Sequence, residues 1–343
     1  MKEKLKLKTN LPILILVSVI TCYLVVKDSV RDVRGIIASC NILFIVLAFI
    51  TALVSDLFKG LSLFTVAKKC EADLSLKDAY SLQLETNFFN GVTPFALGGQ
   101  PFQLYLLKHR NKLPYVKGSY IIFCDYYAFQ IVLLFFTVLF FFINLVFHVI
   151  ELNSILNTFL LLGFLVHVGT FSVLIYASKS KTNSLALKFI HLLKKMHIIK
   201  KEKKIKKKVD KRLNKLRVLI NEFQKDKKLV IKTVVYNGLK LIFYSLAIVF
   251  IFKSIDVVVN PGVAIIAGVF TWVMASFVPI PGATGGVEFS FITMFETLFA
   301  ESLVASAVIL WRFTSYYLMV IFGAILFVIM NKKFKKPDPE EED

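Results

Sequence analysis

Apolar runs of about 20 residues alternate along the chain with short polar or basic connections, and runs of that length cross roughly 30 Å of hydrocarbon. The pattern predicts six full spans, at about 11–27, 34–56, 118–148, 155–177, 229–252 and 302–330. The third is long enough to tilt or to project beyond a bilayer. Two further apolar stretches, about 80–112 and 261–300, are interrupted. The first contains Pro94-Phe-Ala-Leu-Gly98-Gly99-Gln100-Pro101 and the second Pro281-Gly-Ala-Thr-Gly285-Gly286-Val-Glu288. In each, a proline stands four residues before a Gly-Gly pair.

Basic residues orient these segments. The N-terminus, the 57–80 and 105–118 stretches, the 179–228 segment and Lys332 to Lys336 are all basic. All fall on one side of a six-span chain, and the positive-inside rule makes that side cytoplasmic, together with both termini. The 80–112 stretch then has to enter and leave from the cytoplasmic face, and 261–300 from the exterior. Each half reads as span, re-entrant hairpin, span, and the halves have opposite orientation, as in the inverted repeats of secondary transporters. The expected fold is an all-α polytopic membrane protein with about six transmembrane helices plus two re-entrant helical hairpins in an inverted repeat. A full span over 262–280 stays open as the alternative; it would give seven spans and put Lys332 to Lys336 outside.

Composition agrees with a membrane protein. The chain is 57% hydrophobic with 34 Phe, and its mean hydropathy is +0.69, beyond what a soluble domain of 343 residues needs. One integral membrane domain over 1–343 is expected, with a basic cytoplasmic helical insert at 179–228 and a disordered tail at 331–343. The first residues, Met-Lys-Glu-Lys-Leu-Lys-Leu-Lys, resemble the basic region of a signal peptide. No small-x-small cleavage site follows, so the first apolar run reads as a retained span. Of the net charge of +19, the insert supplies most, with 19 Lys/Arg against 4 Asp/Glu. Its helical spacing at Leu185, Leu187, Ile190 and Leu193, then Leu213, Leu216, Ile220 and Phe223, predicts amphipathic helices lying on headgroups. Residues 57–78 read as another. Anionic inner-leaflet lipids are the expected partner there, and no nucleic acid is expected. A homo-oligomer is left open.

Several chemistries are absent. Cys22, Cys40, Cys70 and Cys124 are scattered, without Cys-x-x-Cys, so neither a disulfide framework nor a zinc site is expected. The five histidines have no ligand spacing. There is no phosphate-binding Gly-x-x-x-x-Gly-Lys-Ser/Thr loop, no His-Glu-x-x-His and no Gly-x-Ser-x-Gly. No cofactor or metal is expected, and nothing argues for hydrolysis.

The interrupted segments hold the candidate chemistry. A helix broken at membrane depth has to line a polar cavity or lie buried in protein, and its free N–H groups attract anions. A lipid phosphate suits such a site; a tight helix crossing through small residues is the competing reading. The candidate substrate-binding residues are Asn90, Thr93, Pro94, Gly98, Gly99 and Gln100 at the first tip, Pro281, Gly285, Gly286 and Glu288 at the second, and Arg312. Ionisable residues within spans are costly; here they are Asp56, Glu85, Asp125, Glu288, Glu296 and Arg312. Asp56 sits near the expected end of its span and Asp125 near an interface. Arg312, near mid-depth, needs a partner, for which Glu288 is the first choice. Either the two form a permanent ion pair that holds the hairpin, or Arg312 takes the phosphate while Glu288 faces a cationic headgroup.

The sequence Asn90-x-x-Thr-Pro-Phe-x-x-Gly-Gly-Gln-Pro-x-Gln-x-Tyr, followed by Pro279-x-Pro-Gly-x-x-Gly-Gly-x-Glu and then Arg312, resembles the lysylphosphatidylglycerol synthase transmembrane family. This is the flippase-like domain of the bacterial multiple peptide resistance factor, and the likeness covers roughly 10–330. It implies a multi-pass protein of the bacterial cytoplasmic membrane that moves an aminoacylated phospholipid such as lysyl-phosphatidylglycerol between leaflets, supporting resistance to cationic antimicrobial peptides. The full factor also carries a C-terminal cytosolic synthase domain, for which this chain, ending at Asp343, has no room. The family name implies a phosphatidylglycerol lysyltransferase or its membrane subunit, and that alternative stays open, as does a glycolipid or polyprenyl-linked substrate.

Overall fold

The computed structural model describes residues 35, 38–93, 98–179 and 202–331. The expected first span at 11–27, Pro94, the first part of the basic insert and the tail beyond Asn331 lie outside the described residues. The protein is all-α, without a strand among the described residues. Its helices are α1 (Ile42–Lys69), α2 (Leu76–Gly91), α3 (Gly99–His109), α4 (Tyr115–Phe147), α5 (Ser154–Lys179), α6 (Glu202–Lys225), α7 (Lys227–Ser254), α8 (Pro261–Ala275), α9 (Gly286–Phe295), α10 (Glu301–Arg312) and α11 (Leu318–Asn331). A π-helical segment, Phe313–Tyr317, joins α10 to α11. Among the described residues, five rods are long and apolar enough to cross a membrane: α1, α4, α5, α7 and the continuous Glu301–Met330 run. The protein is a multi-pass membrane protein. Its surface carries Phe142, Leu161, Leu165, Ile321 and Ile325, whereas its interior holds Asp56, Asp125, Asn237 and Arg312.

The second span differs from its expected range. In place of 34–56 followed by a separate surface helix over 57–78, one 28-residue helix runs from Ile42 to Lys69. Asn41 starts it, its side chain accepting from the Leu43 N–H at 3.0 Å. Lys59 does not stop it, because an ion pair neutralises the charge inside the protein. Asp56 therefore lies at the middle of a helix and not near its end.

The helix starts repeat along the chain. Ile42 and Lys227, Leu76 and Pro261, Gly99 and Gly286, and Tyr115 and Glu301 begin equivalent helices, each pair about 186 residues apart. The side-chain caps repeat at the same interval: Asn41 answers to Asp226, and Ser75 to Asn260, each accepting a first-turn N–H. The first helices of the two units, α1 and α7, pack antiparallel along their whole length. Asn41 N–H donates to Ser254 O (2.7 Å), Ser55 Oγ to Lys240 O (2.8 Å) and Lys59 Nζ to Asn237 Oδ1 (2.9 Å), while Lys69 pairs with Asp226 (2.8 Å). As the first partner rises from 41 to 69, the second falls from 254 to 226. Ser55 and Lys240 are also equivalent positions of the repeat, so a local two-fold axis passes between them. The Lys69 ammonium holds the Asp226 carboxyl below the usual carboxylate range.

Each interrupted segment is a pair of short helices. At 1.5 Å per residue, α2 and α8 reach only about 24 Å, and α3 and α9 less, so none of the four crosses a bilayer alone. The helices within a pair touch, α2 against α3 and α8 against α9. Each pair also leans on the last rod of the other unit, α2 on α11 and α8 on α4. The later part of the basic insert forms α6. Its Ile220 and Phe223 are buried against the protein, with the Phe223 ring edge-on to Tyr127 at 6.4 Å. This part of the apolar face thus docks on α4 and neighbouring helices.

Candidate functional site

The first tip is closed by its own side chains. Thr93 Oγ1 accepts from the Gly98 N–H, and Asn90 Oδ1 from the Gly99 N–H, each at 2.9 Å. The two donors expected to face an anion are therefore engaged at the start of α3. A Cβ at Gly99 would strike the Asn90 carboxamide and displace this cap.

The second tip is closed by a carboxylate. The turn Pro281–Ala283 precedes Gly285, whose φ of 87° is a left-handed conformation that glycine adopts cheaply. Glu288 Oε2 accepts from the Gly285 N–H at 2.7 Å, placing a negative charge at the positive end of α9. The same carboxylate turns Oε1 to Arg312, 2.8 Å from Nε. Arg312 Nη2 donates to Gly282 O at 3.0 Å, and its guanidinium lies 4.2 Å from the Tyr316 ring centre. The expected partnership of Arg312 with Glu288 is thus present, and the arginine is buried.

The two tips meet. The α2 end touches the Pro281–Ala283 turn. Tyr316, in the π-helical segment, donates to Gly91 O at 2.7 Å and packs on Gly282. Between the tips lies a cavity of about 650 Å³, walled by α1, α2, α5, α7, α8 and the π-helical segment. Of the sequence-predicted residues, Asn90, Gln100 and Arg312 line it, as do Gly91, Gly282 and Val287. Thr93, Gly98, Gly99, Gly285, Gly286 and Glu288 stand behind that lining, where they hold the tips in shape. A second cavity of about 700 Å³, near Asn144, Glu151 and Glu296, is walled by neither tip.

The cavity wall contains charges that the sequence reading placed elsewhere or passed over. Asp56 lines it, accepting from Gln83 Nε2 at 3.1 Å and Asn87 Nδ2 at 2.5 Å. Lys240, at the middle of α7, also lines it, its ammonium 3.5 Å from the Trp272 ring centre. Behind the wall, Lys59 pairs with Asp125 at 2.7 Å, and both bond Asn237. Asp125 is therefore buried in protein. His167 lines the cavity and meets Gln130 at 3.0 Å. Glu85, in α2, pairs with Arg110. Two sequence signals mark the missed cluster: Asp56 and Lys59 lie one helical turn apart, and Lys240 interrupts an apolar run. Lys59 lies in the 57–80 stretch that was read for topology alone, and Lys240 was passed over.

Residues 12–323 match the model of a family described as the lysylphosphatidylglycerol synthase TM region. No curated protein and no solved structure matches the chain.

Proposed function

The chain belongs to the lysylphosphatidylglycerol synthase TM family, which makes it a membrane protein of the lysylphosphatidylglycerol pathway, and from that premise we propose that it is a lipid translocase. It moves an aminoacylated phospholipid such as lysyl-phosphatidylglycerol between the leaflets of a bacterial cytoplasmic membrane. The observation that carries this reading is the charged, roughly 650 Å³ cavity enclosed by both interrupted helix pairs. Paired broken helices in two halves of a chain are the arrangement in which transporters bind substrate near mid-membrane. The two helix pairs act as re-entrant hairpins from opposite faces, with the α1/α7 two-fold axis in the membrane plane. The headgroup occupies the cavity while the acyl chains stay in lipid, and lipid so displayed makes the surface less anionic.

The test is leaflet exchange by pure protein in vesicles. Lysyl-phosphatidylglycerol carrying a fluorophore on one acyl chain is incorporated in both leaflets, and a membrane-impermeant reductant bleaches the outer one. Protein should convert the slow, incomplete bleach into a complete one. Bleaching that stops at the outer leaflet, with this and other lipid headgroups, would remove the proposal. Synthesis of lysyl-lipid from charged tRNA by the same protein would favour an enzyme instead.

A further inference from the structure

Among the described residues, two buried cations, Lys240 and Arg312, line the cavity, and a third, the partly buried Lys59, stands behind its wall. Lys59 is neutralised by Asp125 at 2.7 Å and Arg312 by Glu288 at 2.8 Å. Lys240 is only 5% exposed, yet among the described residues no carboxylate lies within 4.0 Å of its ammonium. Aromatic faces surround it instead, with ring centres at 3.5 Å (Trp272), 5.2 Å (Phe129) and 5.4 Å (Tyr244). Its α-carbon is fixed by Ser55, which donates to the Lys240 carbonyl at 2.8 Å where the two repeats meet. A buried ammonium is costly unless paired, and cation–π contacts offset only part of that cost. An ammonium of this kind, turned toward a cavity, invites an anion.

We infer that Lys240 is the anion-binding group of the cavity and takes a phosphodiester, with Asp56 on the opposing helix α1 receiving an amine of the same headgroup. The inference rests on the translocase reading and reassigns the phosphate contact within it. Arg312, the obvious candidate, is already neutralised by the Glu288 carboxylate and donates from an Nη to Gly282. The N–H groups of Gly98, Gly99 and Gly285 are likewise taken. Asp56 accepts two amide donors and, among the described residues, has no cation within ion-pair distance, so its oxygens are placed to receive an incoming amine. Other titratable groups around Lys240 are Lys59, whose ammonium also lies over the Phe129 ring, and its partner Asp125, with Tyr126 and His167 on the cavity wall and Tyr244 one turn along α7. The site thus separates one positive and one negative group, which matches a headgroup that is both phosphodiester and amine.

The experiment titrates detergent-purified protein with dihexanoyl-phosphatidylglycerol and, separately, with inorganic phosphate. Binding is followed by tryptophan fluorescence, since the Lys240 ammonium sits on Trp272, and checked by calorimetry. Lys240→Met should fold, because an apolar side chain of similar length replaces an unpaired buried charge; Lys240→Arg controls for charge. The expected result is saturable phosphatidylglycerol binding that weakens at least about tenfold in Lys240→Met, the scale of one lost charged hydrogen bond, and is kept by Lys240→Arg. Saturation by inorganic phosphate alone, lost in the same variant, would keep the anion group but make its ligand free phosphate, overturning the headgroup assignment. Equal binding by wild type and Lys240→Met, or no binding of either anion, overturns the inference. Leaflet exchange is measured on the same proteins: exchange unaffected by Lys240→Met would defeat the inference and spare the translocase. Lys240-dependent binding without exchange would do the reverse.

Discussion

Arg312 and Glu288 form a buried ion pair, 2.8 Å from Nε to Oε1, that fastens the last membrane rod to the second tip. Glu288 also caps α9, so one carboxylate holds both the tip and the arginine. Removing one partner leaves the other charged in a dry site. Glu288→Ala and Arg312→Met should each destabilise by about 3–5 kcal/mol, and the double variant should lose clearly less than their sum. Denaturant unfolding in detergent checks this; additive losses would mean that the pair is not coupled.

Lys59 and Asp125 make the second test of buried charge. Their pairing at 2.7 Å joins α1 to α4, with Asn237 of α7 bonded to both. Lys59→Met should destabilise by about 3–5 kcal/mol, because Asp125 is then left uncompensated. Adding Asp125→Leu should recover much of the loss. A melting temperature unchanged in Lys59→Met would show the pair to be solvated.

The first tip depends on side-chain caps. Asn90→Ala and Thr93→Val each free one N–H at the start of α3, and each should cost about 1 kcal/mol. Gly99→Ala should cost more than Asn90→Ala, since its methyl strikes the Asn90 carboxamide. Gly99→Ala in an Asn90→Ala background should then be milder, which thermal unfolding of the four proteins resolves.

The spans after the first, the two interrupted segments and the Glu288–Arg312 partnership were legible in the sequence, because apolar length, proline with paired glycines, and the cost of a lone buried arginine are local signals. The cavity charges were not. Lys59 marked the cytoplasmic side only while α1 was thought to end at 56; its true neighbours, Asp125 and Asn237, come from α4 and α7. Asn90 and Thr93 were legible as tip residues, but capping roles at Gly99 and Gly98 depend on a chain reversal that spacing does not encode. The repeat was visible in two motifs. The equivalent caps Asn41 with Asp226 and Ser75 with Asn260 became apparent only once the helix starts were placed.

Opposite orientation of the two halves has a direct chemical test. Val258, in the α7–α8 connection, is highly exposed, and Lys112, after α3, is exposed as well. In a cysteine-free background, Val258→Cys in intact cells should react with an impermeant maleimide, and Lys112→Cys only after the membrane is opened. Labelling of both from one side would contradict the topology.

The central claim is that a lipid headgroup crosses through the cavity between the tips. Ala275 lines that cavity, and Ala275→Phe fills part of it while leaving the Arg312 and Asp125 pairs untouched. Leaflet exchange of acyl-labelled lysyl-phosphatidylglycerol should be fast with wild-type protein and slowed at least about tenfold by Ala275→Phe, with an unchanged melting temperature. Equal exchange by both proteins would contradict passage through this cavity.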